Sequence, residues 1–144
     1  MNELPPWLKH GTVWMLLALA LFVGVQAWQT RAKAMRFSTD GGTIEIRRSA
    51  DGHYHWPARL NGRPLEFLVD TGATGSAIPA ALANELGLVH QGSVRSQTAG
   101  GTVLGHVVVA DLALQGGINA ERLRLVALPG LGAPLLGMDV LGRL

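Results

Sequence analysis

The sequence has no cysteine, little charge and a single long apolar run. Without cysteine, neither a disulfide nor a thiolate metal site can form in this chain of 144 residues. Asp, Glu, Lys and Arg make up 15% of the residues, and the formal net charge at pH 7 is +2. This length has room for one domain with its own hydrophobic core. We therefore expect one folded domain that is stabilised without cross-links.

The few charges are distributed unevenly. Residues 1–28 carry one Lys against one Glu, and residues 29–48 carry five Lys or Arg against two Asp or Glu. Residues 49–144 carry six Arg against seven Asp or Glu. The basic excess thus lies beside the apolar run, whereas the remainder of the chain is close to neutral. This pattern favours contact with a membrane surface, and we do not expect nucleic acid as a partner.

The apolar run extends from Thr12 to Trp28. As a helix it would be about 25 Å long, at the short end of the range for a bilayer core. We predict a transmembrane anchor over residues 1–28, with residues 8–28 in the membrane, followed by a polar tether over residues 29–42. The alternative is a cleaved signal peptide, because Val25–Ala27 resembles a small-x-small cleavage site.

The orientation of this anchor is indicated by two opposing features. An N-terminal span and a signal peptide both favour a C-terminal domain that crosses the membrane. However, Lys and Arg are denser after the run, at Arg31, Lys33 and Arg36, than before it, at Lys9. The positive-inside rule would place that basic flank in the cytoplasm.

The rest of the chain has the pattern of a small β-domain. Alternation of apolar and polar residues predicts a strand at Thr43–Arg47. The turn-forming pairs Asp51-Gly52 and Asn61-Gly62 predict an antiparallel meander that begins with this strand. The other predicted strands are His53–Leu60, Leu65–Val69, Val94–Thr98, Thr102–Val109, Leu112–Leu114 and Arg122–Leu128, and the predicted helices are Ala80–Leu86 and Met138–Leu141. Many short strands with glycine turns predict an all-β, barrel-like domain with one or two short helices.

One strand of this domain delivers a carboxylate to its own end. The apolar run before Asp70 favours a strand, and the chain then breaks at once into Thr71-Gly72. Gly72 allows a close backbone approach because it has no Cβ. Thr71 supplies a hydroxyl that could bind a partner group across a tight interface. An ordinary turn would use the same residue types, so the interpretation depends on the other motifs.

Three motifs occur together, and two shorter ones support them. They are Leu68–Thr74, the glycine-tipped hairpin at Thr98–Gly101 and Leu135–Asp139, with Asp51–Tyr54 and Asn61-Gly62 in support. Over residues 43–141 the chain resembles the retroviral-type (retropepsin-like, clan AA) aspartic proteases, and more narrowly their bacterial membrane-tethered family. The resemblance implies a small closed β-barrel over residues 43–144, preceded by one N-terminal transmembrane helix. It also implies a single-pass protein of the bacterial inner (cytoplasmic) membrane, with the protease domain on the periplasmic side.

The resemblance assigns a role to each motif. It implies that Asp70 is catalytic, within an active-site loop that also contains Thr71, Gly72, Ala73 and Thr74. It implies a substrate-binding flap formed by Thr98, Ala99, Gly100 and Gly101, and packing of the loop by Leu136 and Gly137. Two carboxylates must share one proton in this chemistry, and the chain has one Asp-Thr-Gly. We therefore expect a C2 homodimer that cleaves proteins or peptides, with Thr71 crossing the interface and with no cofactor and no metal.

Three details differ among such enzymes. A Ser at position 73 could donate a hydrogen bond to the carboxylate, and Ala73 cannot, so we expect a less acidic pH optimum than that of pepsin-like enzymes. Gly75 stands where a bulkier residue is common, which would loosen the loop. Relatives usually continue beyond the equivalent of Leu144 into a strand of the dimer sheet. We expect the strand Thr43–Arg47, or concentration in the membrane, to substitute for it.

Other chemically active residues are given structural roles. His53 and His55 alternate on one strand, but two histidines without a third ligand do not predict a metal site. Asp111 and Asp139 are further carboxylates, and we do not expect either to be catalytic. For Asp139, helix capping or a salt bridge to an arginine is the expected role.

Two hypotheses of other classes remain open at this point. The domain could be a catalytically silent β-domain that binds extended peptides by strand addition. It could also be a tethered scaffold within a membrane complex.

Overall fold

The computed structural model describes residues 6–33, 36–39 and 42–144. The chain divides into two compact units, Met1–Ala34 and Met35–Leu144. The first contains helix α1, Pro6–Lys33, whose initial proline suits a first turn because that position needs no N–H donor. The stretch His10–Ala27 is exposed, apolar and long enough to be a membrane span, and its place near the N-terminus fits a signal sequence equally well.

The second unit is built mainly from strands. The strands are β1 Arg36–Thr39, β2 His55–Leu60, β3 Arg63–Val69, β4 Ala77–Pro79, β5 Gly92–Thr98, β6 Gly101–Leu114, β7 Ile118–Leu128 and β8 Leu135–Leu136. The helices are α2 Ala80–Glu85 and α3 Met138–Leu141. The tight turn between β2 and β3 is Asn61-Gly62, whose φ angles of 47° and 81° fit the hairpin turn that this dipeptide predicts.

Six of these strands close into a barrel. β7 pairs with β4, and β8, β3, β2 and β6 follow in order until β6 pairs again with β7. β1 adds to β7, and β5 adds to β6, so these two strands lie outside the ring. The prediction of an all-β class with a small closed barrel is confirmed.

Alternating side chains fill the barrel. On β2, Trp56, Ala58 and Leu60 are buried, whereas the intervening residues are exposed, as expected for a strand with one face on the core. The indole N–H of Trp56 donates a hydrogen bond to the main-chain oxygen of Gln115 (2.9 Å). The largest fully buried apolar side chains are those of Phe67, Leu60, Ile78, Leu112, Leu123, Leu125, Leu136, Val108 and Val140. This core supports the end of β3, where Asp70 begins the candidate site.

The prediction of a strand at Thr43–Arg47 is wrong. These residues form no strand, and an isolated bridge between Arg48 and Tyr54 is what remains of the predicted first hairpin. Alternation of residue types determines which side chains share a face, but a strand also needs a neighbouring backbone to pair with. The predicted role of this segment in a dimer sheet therefore loses its structural basis.

Part of the predicted polar tether, residues 29–42, has regular secondary structure. α1 continues to Lys33, and Arg36–Thr39 pairs with β7 as β1. Residues 1–5 of the predicted anchor, and residues 34–35 and 40–41 of the predicted tether, lie outside the described residues.

Candidate active site

Asp70 lies at the point where β3 ends. β3 pairs with β2 on one side and in parallel with β8 on the other, with Val69 opposite Leu136. The N–H of Asp70 donates to the main-chain oxygen of Leu136 (3.0 Å), so the pairing extends one residue beyond the strand. The Asp70 side chain is half-buried. A strand that is paired on both sides therefore positions a carboxylate at the edge of the barrel.

The loop that follows orients this carboxylate. The N–H of Gly72 donates to Asp70 Oδ1 (2.9 Å), and the N–H of Ala73 donates to the main-chain oxygen of Asp70 (3.2 Å). A Cβ at position 72 would lie 3.2 Å from Oδ1, which is a tight contact, so the turn favours glycine. Thr71 and Thr74 are exposed, and Ala73 has no side-chain donor to offer. One main-chain N–H thus directs the Asp70 carboxylate.

The turn between β8 and α3 forms the support beneath this loop. The N–H of Met138 donates to the oxygen of Ala73 (2.8 Å), and that of Asp139 donates to the oxygen of Thr74 (3.1 Å). A Cβ at Gly137 would lie 2.6 Å from the carbonyl carbon of Gly75, closer than side chains can approach a backbone. The structure therefore places Leu136 and Gly137 in direct contact with the Asp70 loop.

Ser76, which belongs to none of the sequence motifs, joins these two segments. Its side chain is 1% exposed. The hydroxyl donates to Asp139 Oδ1 (2.7 Å) and accepts a hydrogen bond from the N–H of Gly137 (3.0 Å). Because buried polar groups are hydrogen-bonded, the burial of Ser76 accounts for these two bonds, and the sequence around it does not name either partner.

The predicted flap is the hairpin of β5 and β6. Thr98 pairs with Gly101, so Ala99 and Gly100 form a two-residue tip, and Gly101 has a φ of 110° that favours glycine. Thr98 Oγ1 donates to the oxygen of Gly101 (2.8 Å), a bond within the hairpin. Residues 101–105 of β6 pair with β5, and pairing of β6 with β7 starts at His106. The tip consequently extends beyond the barrel.

A family model described as aspartyl protease matches residues 56–140, which include the strand of Asp70, its loop, the hairpin and the supporting turn. The chain belongs to the aspartyl protease family.

Solved structures show which fold this chain has. A retropepsin-like aspartic protease from Rickettsia conorii is 24% identical with a TM-score of 0.56, over 77% of this chain and 88% of that one. EIAV protease complexed with the inhibitor HBY-793 is 21% identical with a TM-score of 0.52, over 68% of this chain and 93% of that one. The fold is therefore retropepsin-like.

One curated relative matches over a short region. An uncharacterized protein of Rickettsia prowazekii (strain Madrid E) is 42% identical over 52 residues, which are 36% of this chain and 22% of that protein. The chain thus spans about a fifth of the length of this relative.

The two other carboxylates considered in the sequence, Asp111 and Asp139, have structural partners. Asp111 sits in a bulge of β6, where its N–H donates to Asn61 Oδ1 (2.8 Å) and its Oδ1 accepts from the N–H of Arg122 (2.7 Å). Asp139 accepts from Ser76, so the expected capping role is replaced by a bond across the loop. In place of the expected salt bridge to that carboxylate, Arg143 Nε donates to the main-chain oxygen of Asp139 (2.9 Å).

His55, at the start of β2, contacts two carboxylates at the surface. His55 Nε2 lies 2.7 Å from Asp51 Oδ2, and its Nδ1 lies 3.9 Å from Glu66 Oε2. The main-chain N–H of His53 and then the side chain of His55 lower the pKa of Asp51 from its usual value. Within residues 6–33, 36–39 and 42–144, no group of three or more His, Cys, Asp or Glu side chains is arranged to hold a metal ion.

Proposed function

We propose that the chain is an aspartic endopeptidase that hydrolyses protein or peptide substrates as a homodimer, with Asp70 of each protomer in the active site. The observation that carries this proposal is the position of Asp70 in a retropepsin-like barrel. Its carboxylate stands at a strand end and accepts from Gly72 N–H on a loop packed against Gly137. The family and the fold both point to peptide-bond hydrolysis.

The single Asp-Thr-Gly is the argument for pairing. Within the family's chemistry two carboxylates act on one water, and each chain brings one such motif. Asp111 and Asp139 are bound to other groups, so neither is a suitable second carboxylate. A two-fold axis beside Asp70 would supply the same residue from a second copy, in the self-complementary contact typical of C2 dimers. Exposed Thr71 would then bond to the partner's loop.

Pairing would divide the two roles between identical side chains. Two carboxylates about 3 Å apart cannot both ionise, so one stays protonated and the other is charged. The charged Asp70 would take a proton from water while the water oxygen attacks the peptide carbonyl carbon. The protonated Asp70 would give its proton to the carbonyl oxygen. The tetrahedral diol would then collapse: the newly protonated Asp70 gives its proton to the amine nitrogen, the C–N bond breaks, and the other Asp70 accepts a hydroxyl proton, which restores one charged and one protonated carboxyl group.

The hairpin tip at Thr98–Gly101 would cover the substrate. Because residues 101–105 of β6 pair with β5 and not with the barrel, the tip can move without breaking the barrel. Glycines at positions 100 and 101 allow the turn and its motion.

The N-terminal helix would anchor this enzyme through residues 8–28. Exposed apolar side chains over His10–Ala27 support insertion into a bilayer. We further propose a single pass through the bacterial inner membrane with the protease unit in the periplasm. A reporter fused after Leu144 that is active in the periplasm and inactive in the cytoplasm would support this orientation, and the reverse pattern would contradict it.

A second candidate function is supported by the free edge of β5. Among the residues that the structure describes, this strand is last in the order of the sheet and pairs with β6 alone, so its other edge is open there to an added peptide strand. In this case the domain would bind extended peptides without cutting them, and it would be a monomer at high concentration.

Cleavage assays with matched variants test the proposal. The full chain in detergent micelles would be incubated with a library of unstructured peptides and analysed by mass spectrometry. Asp70→Asn should abolish cleavage, whereas Asp111→Asn, the same substitution at the bulge, should retain it because an amide oxygen still accepts from Arg122. Equal cleavage by the wild type and Asp70→Asn would overturn the catalytic role. Peptide binding without cleavage by the wild type would favour the second candidate.

A further inference from the structure

We propose that Ser76 and Asp139 are positioning residues that hold the Asp70 loop in its catalytic geometry, an inference that rests on the proposed function. The hydrogen bond from Ser76 Oγ to Asp139 Oδ1 (2.7 Å) is called the Ser76–Asp139 link below. It joins two residues that are far apart in sequence, one on each side of the contact between the loop and the turn before α3.

Burial makes the link costly to break. Ser76 is 1% exposed and is the one polar residue among the buried residues that the structure describes. Its hydroxyl oxygen accepts from the N–H of Gly137 (3.0 Å), and a main-chain N–H can act only as a donor. The hydroxyl proton is therefore directed to Asp139, whose carboxylate strengthens the bond by its charge.

The Ser76–Asp139 link is one of three hydrogen bonds that hold the Asp70 loop against the turn before α3. Asp139 also donates its main-chain N–H to the oxygen of Thr74, and Met138 donates to the oxygen of Ala73. The Ser76–Asp139 link adds a side-chain contact immediately beyond these two backbone bonds. Gly72, whose N–H orients the Asp70 carboxylate, belongs to the same loop. If these hydrogen bonds shifted, the loop would move, and with it the N–H of Gly72 that orients the Asp70 carboxylate.

A purely helical role for Asp139 does not explain this geometry. α3 has four residues, and its N-terminus has no side-chain cap. The carboxylate bonds to Ser76 instead, and Oδ2 lies 4.0 Å from the point where a Cβ at Gly75 would stand. The carboxylate of Asp139 is thus directed at the loop, and the N–H groups of its own helix already have backbone acceptors, in Ala73, Thr74 and Gly137.

Substitutions of the two partners should give graded effects on catalysis. Ser76→Ala removes the donor and leaves the N–H of Gly137 buried without its acceptor. Because an error of about 1 Å at a reacting group can cost on the order of 100-fold in rate, we expect kcat to fall by that order with KM little changed. Ser76→Thr keeps the hydroxyl and should recover most of the rate. Asp139→Asn keeps an acceptor oxygen without the charge and should lie between the wild type and Asp139→Ala.

Hydrogen exchange provides a readout that does not depend on activity. We expect exchange of the backbone amides in residues 70–76 and 136–139 to be faster by about tenfold or more in Ser76→Ala. The reason is that loss of one buried hydrogen bond raises the equilibrium constant for local opening by about that factor. The matched control is Val140→Ala, because Val140 is fully buried in α3 and its side chain takes no part in the link. That variant should raise exchange evenly over the barrel and leave kcat within about threefold of the wild type.

The combined experiment measures peptide cleavage and hydrogen exchange on the full chain in detergent micelles. The variants compared with the wild type are Ser76→Ala, Ser76→Thr, Asp139→Asn, Asp139→Ala and Val140→Ala. A rise in amide exchange that is confined to the loop and its supporting turn in Ser76→Ala, and that is absent in Ser76→Thr, supports the positioning role. Exchange that rises evenly, as in Val140→Ala, overturns it, and so does a kcat for Ser76→Ala equal to that of Val140→Ala. If Asp70→Asn and the wild type cleave equally, the proposed function fails, while the exchange result still decides whether the link holds the loop.

Discussion

Gly137 offers a sharp test of how closely the supporting turn approaches the Asp70 loop. In Gly137→Ala the new Cβ would lie 2.6 Å from the carbonyl carbon of Gly75, 2.7 Å from its oxygen and 2.9 Å from the oxygen of Ala73. Carbon atoms in contact prefer about 3.5–4.0 Å, so the loop must move by roughly 1 Å. All three atoms belong to the backbone, so no side-chain rotation can relieve the clash.

This displacement should affect stability and catalysis to different extents. Overpacking of this kind costs about 1–3 kcal/mol, which should lower the Tm of the protease unit by roughly 5–20 °C. A displacement of roughly 1 Å at the loop that carries Asp70 should lower kcat on the order of 100-fold. The assays are thermal unfolding followed by circular dichroism, and peptide cleavage at a temperature where the variant is folded.

Gly132→Ala is the matched control for this prediction. Within the described part of the chain, no atom other than those of Gly132 and its two neighbours lies within 4 Å of a Cβ built at Gly132, so the same added methyl group meets open space there. We expect the control to match the wild type in Tm and kcat. If Gly137→Ala behaved like Gly132→Ala in both assays, the close packing of the loop on this turn would be refuted.

Three further predictions concern the core, the pH optimum and a surface ion pair. Phe67→Ala should lower the free energy of unfolding by about 3–5 kcal/mol in urea titrations, because its fully buried ring leaves a cavity; a loss below 1 kcal/mol would contradict its place in the core. Ala73→Ser should move the acidic limb of the pH–rate profile to lower pH by up to about one unit, since a hydroxyl beside Asp70 would stabilise the charged form; an unchanged profile would show that position 73 does not contact the carboxylate. Asp51→Asn should lower the Tm at pH 7, and the Tm difference from the wild type should be smaller at pH 2.5. The main-chain N–H of His53, and then the side chain of His55, hold the pKa of Asp51 in the folded state below its usual value. The stability that the charged Asp51 contributes is therefore present at a pH above the usual aspartate pKa, and it is lost as the pH falls through the lower pKa of the folded state. An equal Tm difference at both pH values would contradict this sign.

Local sequence signals predicted several elements well. The dipeptide Asn61-Gly62 forms the tight turn between β2 and β3, because both residues tolerate positive φ. The helix Met138–Leu141 has the predicted bounds. Leu65–Val69 was predicted as a strand that leads into Asp70, and β3 ends at that point. In each case residues close in sequence determine the backbone conformation.

Elements that depend on distant partners were predicted less well. The single strand β6 spans two predicted strands, Thr102–Val109 and Leu112–Leu114, which left a break at residues 110–111. It is one strand with a bulge, since Asn61 and Arg122 satisfy the polar groups of Asp111. Conversely, Thr43–Arg47 has the alternation of a strand but no strand pairing. A local pattern contains no information on whether a partner is present.

In the candidate site, too, the features that depend on neighbouring residues could be predicted, and those that depend on distant residues could not. Asp70 and its loop were identifiable because the Asp-Thr-Gly is contiguous and the supporting glycine follows an apolar pair. Ser76 was missed because its importance arises from Asp139, which lies far away in sequence. A single serine before an apolar strand carries no indication of the carboxylate that it will meet.

Subunit mixing tests the central claim, that Asp70 acts only when a second copy supplies its partner. Wild-type chain and Asp70→Asn chain would be unfolded together in equal amounts, refolded in detergent micelles and assayed for peptide cleavage. Random pairing leaves about one dimer in four with both Asp70 carboxylates, so the activity per total chain should be about one quarter of that of the wild type. An activity of about one half would mean that each chain acts alone, and it would contradict the account.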